Sequence, residues 1–168
     1  MTKQILFIDM DCVLADFCNS PMFDRYENVI QNPPRMYEEY FFETLPVVSG
    51  ALWAVRKLMP HYDIHVLTQP VKNTHYSYSE KAAWIWKWFP ELGGKLHLTQ
   101  NKEFFSSRDM ILIDDNREKW QPKWNERGGT FVHFIYSPQD NKRNRMMWET
   151  IVDNLIYKAN PNIQGKDD

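Results

Sequence analysis

Asp9 and Asp11 stand two residues apart at the end of the apolar run "ILFID", where the alternation of a strand starts both carboxylates on one side. Asp114 and Asp115 follow directly on "MILI", Thr68 closes "DIHVLT", and Lys102 comes shortly after "KLHLT". A lone D-x-D, a strand-capping Thr or a solvated Lys is commonplace. Two acids placed straight after four apolar residues are different, because burying them unpaired is costly. Gathered at one edge, four carboxylates against one ammonium would repel any anion. A divalent cation resolves the conflict: Mg²⁺ takes hard oxygen ligands and keeps waters and a phosphate in its shell. With that ion present and Asp11 protonated, the count falls to zero and a phosphate can enter.

These charges suggest roles. Asp9 is placed as a nucleophile that attacks phosphorus and forms an aspartyl-phosphate. Asp11, its pKa raised by acidic neighbours, would protonate the leaving oxygen and then activate water. Thr68 would hydrogen-bond the transferring phosphoryl oxygens, and Lys102 would neutralise the charge developing on them.

Four runs read as buried strands, at residues 5–9, 63–68, 110–114 and 130–136, with a weaker fifth at 95–99. Between them lie helical patterns, the clearest being Val48, Ala51, Leu52, Val55, Leu58 and Met59, bounded by Pro46 and Pro60; another is Trp148, Ile151, Val152 and Leu155. Ile85, Trp86 and Phe89 also fall at helical spacing and read as core packing. Strands alternating with helices indicate an α/β fold with a parallel sheet covered on both faces. In such sheets ligands bind outside the carboxyl ends of the strands, where the residues above lie. From about Ala15 to Leu45 the alternation breaks. That segment reads as two short helices, either a lid over the site or a long crossover. The expected organisation is one domain over 1–168, with core 1–14 and 46–158, a small helical cap at about 15–45 and a loose tail at 159–168.

The chain has 168 residues, 43% of them apolar and 25% charged, as in ordinary globular proteins. A formal charge of −2 offers no basic field for a long nucleic acid, and no membrane association is indicated. Cys12 and Cys18 are too few for a disulfide scaffold, and the N-terminus runs into a strand without a cleavable apolar segment, so the cytoplasm is the expected compartment. The five histidines show no convergent metal-ligand spacing and read as structural or surface residues.

The segments "DMDCVLADF", "FFETLPVVSGALWAV", "TQPVKNTHYSYSEKAAWIWKWF", "LTQNK" and "LIDD" resemble, in order and approximate spacing, the 5'(3')-deoxyribonucleotidases of the haloacid dehalogenase-like superfamily. The resemblance covers most of residues 5–120. It implies a Rossmannoid three-layer fold with a small helical cap inserted after the first strand. It also implies a Mg²⁺-dependent phosphatase that acts on nucleoside monophosphates, as small molecules, through a phosphoaspartate on Asp9. By matching positions Mg²⁺ would be held by Asp9, the backbone carbonyl of Asp11 and Asp115, with Asp114 in support. Thr68 and Lys102 would hold the phosphate, helped by Gln69 and Lys81, and Phe17 would touch substrate or pack as a lid residue. The family often pairs into homodimers.

Three departures stand out. Cys12 occupies a position where the family usually has Gly, so the turn is expected to avoid the positive φ that Gly takes cheaply. Gln69 replaces a frequent Ser. The insertion is shorter than the cap of the animal enzymes, so their base-binding aromatics do not carry over, and Tyr37, Tyr40, Phe41 and Phe42 are the candidates for a different set. The competing readings are a phosphatase for a sugar phosphate or a nucleic-acid 3'-phosphate, and a non-catalytic nucleotide-binding module. The order of its motifs and the length of the chain weigh against a phosphorylated receiver domain.

Overall fold

The computed structural model describes residues 3–22 and 34–160. Five parallel strands form the sheet: β1 (Gln4–Ile8), β2 (Tyr62–Thr68), β3 (Leu96–Leu98), β4 (Met110–Asp114) and β5 (Thr130–His133), in the spatial order β3-β2-β1-β4-β5. Four α-helices connect and cover them: α1 (Ala51–Leu58), α2 (Tyr76–Trp88), α3 (Arg117–Glu126) and α4 (Asn141–Ala159). The expected α/β class and parallel sheet are both present. β5 ends at His133, three residues short of its apolar run, although the Phe134 N–H still reaches the Asp114 carbonyl at 3.0 Å.

Alternation along the strands sorts the core into two layers. Leu6 and Ile8 of β1, Ile64 and Val66 of β2, and Ile111 and Ile113 of β4 face α1, α2 and α4, where Ala54, Val55, Trp84, Ile85, Trp148 and Val152 are buried. The intervening Phe7, Leu67 and Leu112 face Trp120 and Trp124 of α3. Burial on both faces is why these strands lack polar alternation. α1 begins after Gly50, whose φ of 93° and closeness to α4 (a Cβ there would lie 3.1 Å from the Arg145 Cα) leave no room for a side chain.

Helix phase corrects one expectation. Ile85 and Phe89 are buried, but Trp86 is 61% exposed and the inward tryptophan is Trp84. Successive residues are turned by about 100°, so Trp86 points away from its neighbour Ile85. It lies instead over Gly93, where a Cβ would sit 2.6 Å from its ring.

The segment expected as a cap leaves and rejoins the core through a short stem. Ala15 bridges Val47, the Asp16 N–H donates to the Pro46 carbonyl at 2.8 Å, and the Val48 N–H donates to the Leu14 carbonyl at 2.8 Å. Its described parts hold two single 3-10 turns, Phe17–Asn19 and Pro34–Tyr37, in the segment expected to form two short helices; residues 23–33 of the expected cap lie outside the described residues, as do residues 161–168 of the expected tail. Among the described residues no helix is long and apolar enough to cross a membrane.

Candidate active site

The strand order reverses at β1, with β2 on one side and β4 on the other, and the chain beyond β1 and β4 supplies the acids. Asp9 is fixed by its N–H, which donates to the Ile113 carbonyl at 2.9 Å. Lys102 arrives on the 3-10 turn Lys102–Phe105 that follows β3, and its ammonium is 1% exposed. It lies 2.6 Å from Asp9 Oδ1 and 2.6 Å from Asp114 Oδ2. Burial alone would weaken its charge, but Asp9 and Asp114 outweigh burial and hold the Lys102 pKa above its ordinary value. The Asn116 N–H donates to Asp114 Oδ1 at 2.8 Å, so both Asp114 oxygens are engaged, whereas Asp115 is partly exposed beside them.

Lys81 and Thr68 are completely buried. The Lys81 ammonium donates to Asp11 Oδ2 and, at 2.8 Å, to Thr68 Oγ1. Lys81, expected to help Thr68 and Lys102 hold the phosphate, thus stands between the candidate acid and Thr68. Its bond to Thr68 fills a lone pair of the hydroxyl and leaves the Thr68 proton to be donated elsewhere. The other Asp11 oxygen, Oδ1, is buried without a hydrogen-bond partner. Burial raises the Asp11 pKa, Lys81 opposes the shift and Asp9 adds to it.

The donor set fits a hard cation. Asp9, Asp114 and Asp115 each bring a carboxylate oxygen within 4.8 Å of the others. Burial, then repulsion from Asp9, pushes Asp114 up from 3.8 to about 7 and Asp115 up to about 8. Charge packed this tightly around one lysine, with oxygen donors alone, suits Mg²⁺. Because Asp114 is already held by Lys102 and Asn116, Asp9 and Asp115 are the carboxylates with capacity left for a metal.

The raised values set a sign for stability. The folded chain keeps protons on Asp114 and Asp115 that the unfolded chain would release near pH 3.8. Their contribution is complete below that pH and is lost as the pH climbs towards 8. Without a divalent cation, the melting temperature is expected to fall between about pH 5 and pH 8. Saturating Mg²⁺ at pH 8 should restore roughly 5–10 °C, the equivalent of about 2.7 kcal/mol at a hundredfold excess over Kd, and much less at pH 5. Thermal melts at the two pH values check this; stability that rises with pH in the metal-free protein contradicts it.

The turn after β1 overturns the expectation for Cys12, which has φ 60°. The left-handed conformation persists because the turn is pinned from several sides. The Cys12 N–H donates to the Ala15 carbonyl at 2.8 Å, and the N–H groups of Leu14 and Ala15 donate to the Met10 carbonyl at 2.9 and 2.8 Å. An L-residue is strained there by about 1–2 kcal/mol, so Cys12→Gly is expected to stabilise the protein by about 0.5–1 kcal/mol once the greater freedom of unfolded Gly is subtracted. Urea midpoints for Cys12→Gly and Cys12→Ala test this, and a gain in Ala but not in Gly would rule out strain. Burial, then Asp115, raises the Cys12 thiol well above its ordinary value, so it stays protonated and is no nucleophile.

A cleft of about 260 Å³ opens over these groups. Its floor is Asp9, Asp11, Lys102, Asp114 and Asp115, and Phe17, Met36, Phe42 and Val71 make an apolar wall. Phe17 lines the cleft and also packs on Phe41 with ring centroids 5.1 Å apart. Of the four aromatics proposed for a substrate cluster, Phe42 alone lines the cleft; Phe41 is buried beside it, and Tyr37 and Tyr40 are exposed. Gln69 lies on the polar side, accepting from the Lys119 ammonium and donating to Gln100 Oε1 at 2.8 Å. Lys119, Asn116 and Glu80 carry no sequence signal: the first two lie in the exposed polar start of α3, and the partners of Glu80 are backbone groups remote in sequence.

No family model matches the chain. The sequence is similar to the mitochondrial 5'(3')-deoxyribonucleotidase of Mus musculus, 29% identical over 128 residues covering 69% of this chain and 57% of that protein. It is also similar to the 5'(3')-deoxyribonucleotidase of Bacillus subtilis, at 25% identity over 182 aligned positions covering 92% of this chain and 99% of the relative. The chain therefore spans little more than half the length of the mouse protein and nearly all of the bacterial one. A haloacid dehalogenase-like family hydrolase from Xanthomonas campestris shares the fold, with a TM-score of 0.58 at 12% identity over 95% of this chain and 94% of that one.

Proposed function

We propose that this chain, which has the haloacid dehalogenase-like fold and resembles the 5'(3')-deoxyribonucleotidases in sequence, is a Mg²⁺-dependent phosphatase of small deoxyribonucleoside monophosphates. The observation that carries the reading is the pairing at the end of β1. Asp9 lies against a buried lysine, and Asp11, two residues on, is held by a second buried lysine that also bonds Thr68.

Asp9 attacks phosphorus as the ester P–O bond breaks, and Asp11 gives its proton to the departing nucleoside oxygen. Water then attacks the phosphoaspartate, Asp11 takes back a proton, and the bond between phosphorus and the Asp9 oxygen breaks to release phosphate. Thr68 donates to a phosphoryl oxygen, and Lys102 balances the charge that gathers in the transition state. Mg²⁺, held by Asp9, the Asp11 carbonyl and Asp115 with Asp114 in support, would supply Lewis-acid neutralisation of the phosphoryl oxygens. The raised Asp11 pKa supports its role as an acid, and the apolar wall of Phe17, Met36, Phe42 and Val71 suits a planar leaving group.

The test is a substrate panel: thymidine and deoxyuridine monophosphates, as 5' and 3' esters, against simple sugar phosphates, with and without Mg²⁺. The reading requires hydrolysis of the nucleotides. Turnover of sugar phosphates alone would assign the same chemistry to another substrate, and failure on every ester would leave a binding module.

A further inference from the structure

Glu80 is a buried carboxylate, 5% exposed, that none of this chemistry uses. It precedes Lys81 on α2, and its oxygens accept from two backbone N–H groups of the returning arm of the insertion: Oε1 from Tyr40 at 2.5 Å and Oε2 from Phe42 at 2.9 Å. Tyr40 has φ 68°, a conformation that a bulky residue keeps only where its surroundings impose it. Tyr40 is 57% exposed, so its restraints are on the backbone: Glu80 holds its N–H, and the Thr44 hydroxyl donates to its carbonyl at 2.8 Å. Phe42 is fully buried, with the Lys81 ammonium 4.7 Å from its ring centroid, and it backs the partly exposed Phe17 (ring centroids 6.2 Å apart), which offers the aromatic surface of the wall to the cleft. Two adjacent side chains of α2 thus act on the site in different ways. Lys81 holds the catalytic acid, and Glu80 holds the wall.

We propose that Glu80 is a positioning residue that determines specificity: by clamping the Tyr40 and Phe42 N–H groups it sets the aromatic wall against which the leaving alcohol packs. This selects phosphate esters of bulky, planar alcohols over small ones. The inference deepens the phosphatase reading and rests on it. A merely structural Glu80 would lower stability and affect every ligand alike, whereas a wall-setting Glu80 weakens the alcohol half of the substrate and spares the phosphate half.

Product inhibition separates the halves. With deoxyuridine monophosphate as substrate, inhibition constants for deoxyuridine and for inorganic phosphate are measured in the wild type, Glu80→Ala, Glu80→Gln and Phe42→Ala. Glu80→Ala should raise KM and the deoxyuridine constant by about tenfold and change the phosphate constant by less than about twofold. Glu80→Gln, which keeps one accepting oxygen, should fall between, and Phe42→Ala should reproduce the selective loss. If circular dichroism shows that Glu80→Ala does not fold, Glu80→Gln carries the comparison. Equal changes in the two constants, or none, overturn the proposal. If the wild type hydrolyses no nucleotide, the substrate reading has failed by itself, and phenol against phosphate, with phenyl phosphate as substrate, decides on Glu80.

Discussion

Replacing Asp9 by Asn is expected to lower turnover on the order of 10⁶-fold, the scale seen when a covalent nucleophile is removed, while leaving the fold in place. The carboxamide matches the carboxylate in shape and keeps the Asp9 N–H bonded to Ile113, but it cannot attack phosphorus. Stability should rise in the metal-free protein near neutral pH. Asp9 is the charge that contributes most, after burial, to raising both Asp114 and Asp115, so neutralising it relieves repulsion at both. Two measurements check the result. Acid-quenched mass spectrometry should find a phosphoryl adduct on Asp9 of the wild type during turnover and none on the variant. Melting curves should show the variant at least as stable as the wild type without Mg²⁺. Hydrolysis at the wild-type rate would remove Asp9 from the role of nucleophile, and with it the covalent mechanism.

How much of this was legible from residues alone depends on whether the cause is local. The strand-end acids could be read because apolar runs that stop at Asp9 and Asp114 carry both the sheet and its chemistry, and a parallel sheet puts the carboxyl ends of its strands on one rim. Lys102 was readable through its place after β3. Lys81 was legible only through family resemblance: the burial that brings it to Thr68 and Asp11 arises from the packing of α2 on the sheet, and sequence spacing does not report packing. Glu80 was invisible because its ligands are main-chain N–H groups about forty residues away, which any residue type would present. Cys12 misled for the opposite reason. Residue preference argues against positive φ, but three hydrogen bonds in one turn outweigh a preference of about 1–2 kcal/mol. Trp86 shows that helical spacing identifies a helix more reliably than it identifies which tryptophan faces inward.

Asp11→Asn should separate the two half-reactions. A nucleoside hydroxyl leaves poorly without a proton, so the variant is expected to lose about 10²–10⁴-fold on a deoxyribonucleoside monophosphate. p-Nitrophenol is a far weaker base and leaves as the anion, so formation of the phosphoaspartate from its ester should slow by less than about tenfold. Hydrolysis of the phosphoaspartate still needs Asp11 to take a proton from water, whichever ester supplied it. The variant should therefore show a burst of p-nitrophenol, close to one equivalent per site, followed by slow steady turnover in which phosphoenzyme accumulates. The arrangement around Asp11 favours this outcome. Oδ2 is occupied by Lys81, Oδ1 is buried without a partner, and burial keeps the group protonated above the usual carboxylate range. Stopped-flow absorbance on the two esters reads the ratio directly. An equal loss on both, with no burst, would mean that Asp11 serves through its hold on Lys81, and the general acid would have to be sought among the other groups of the cleft.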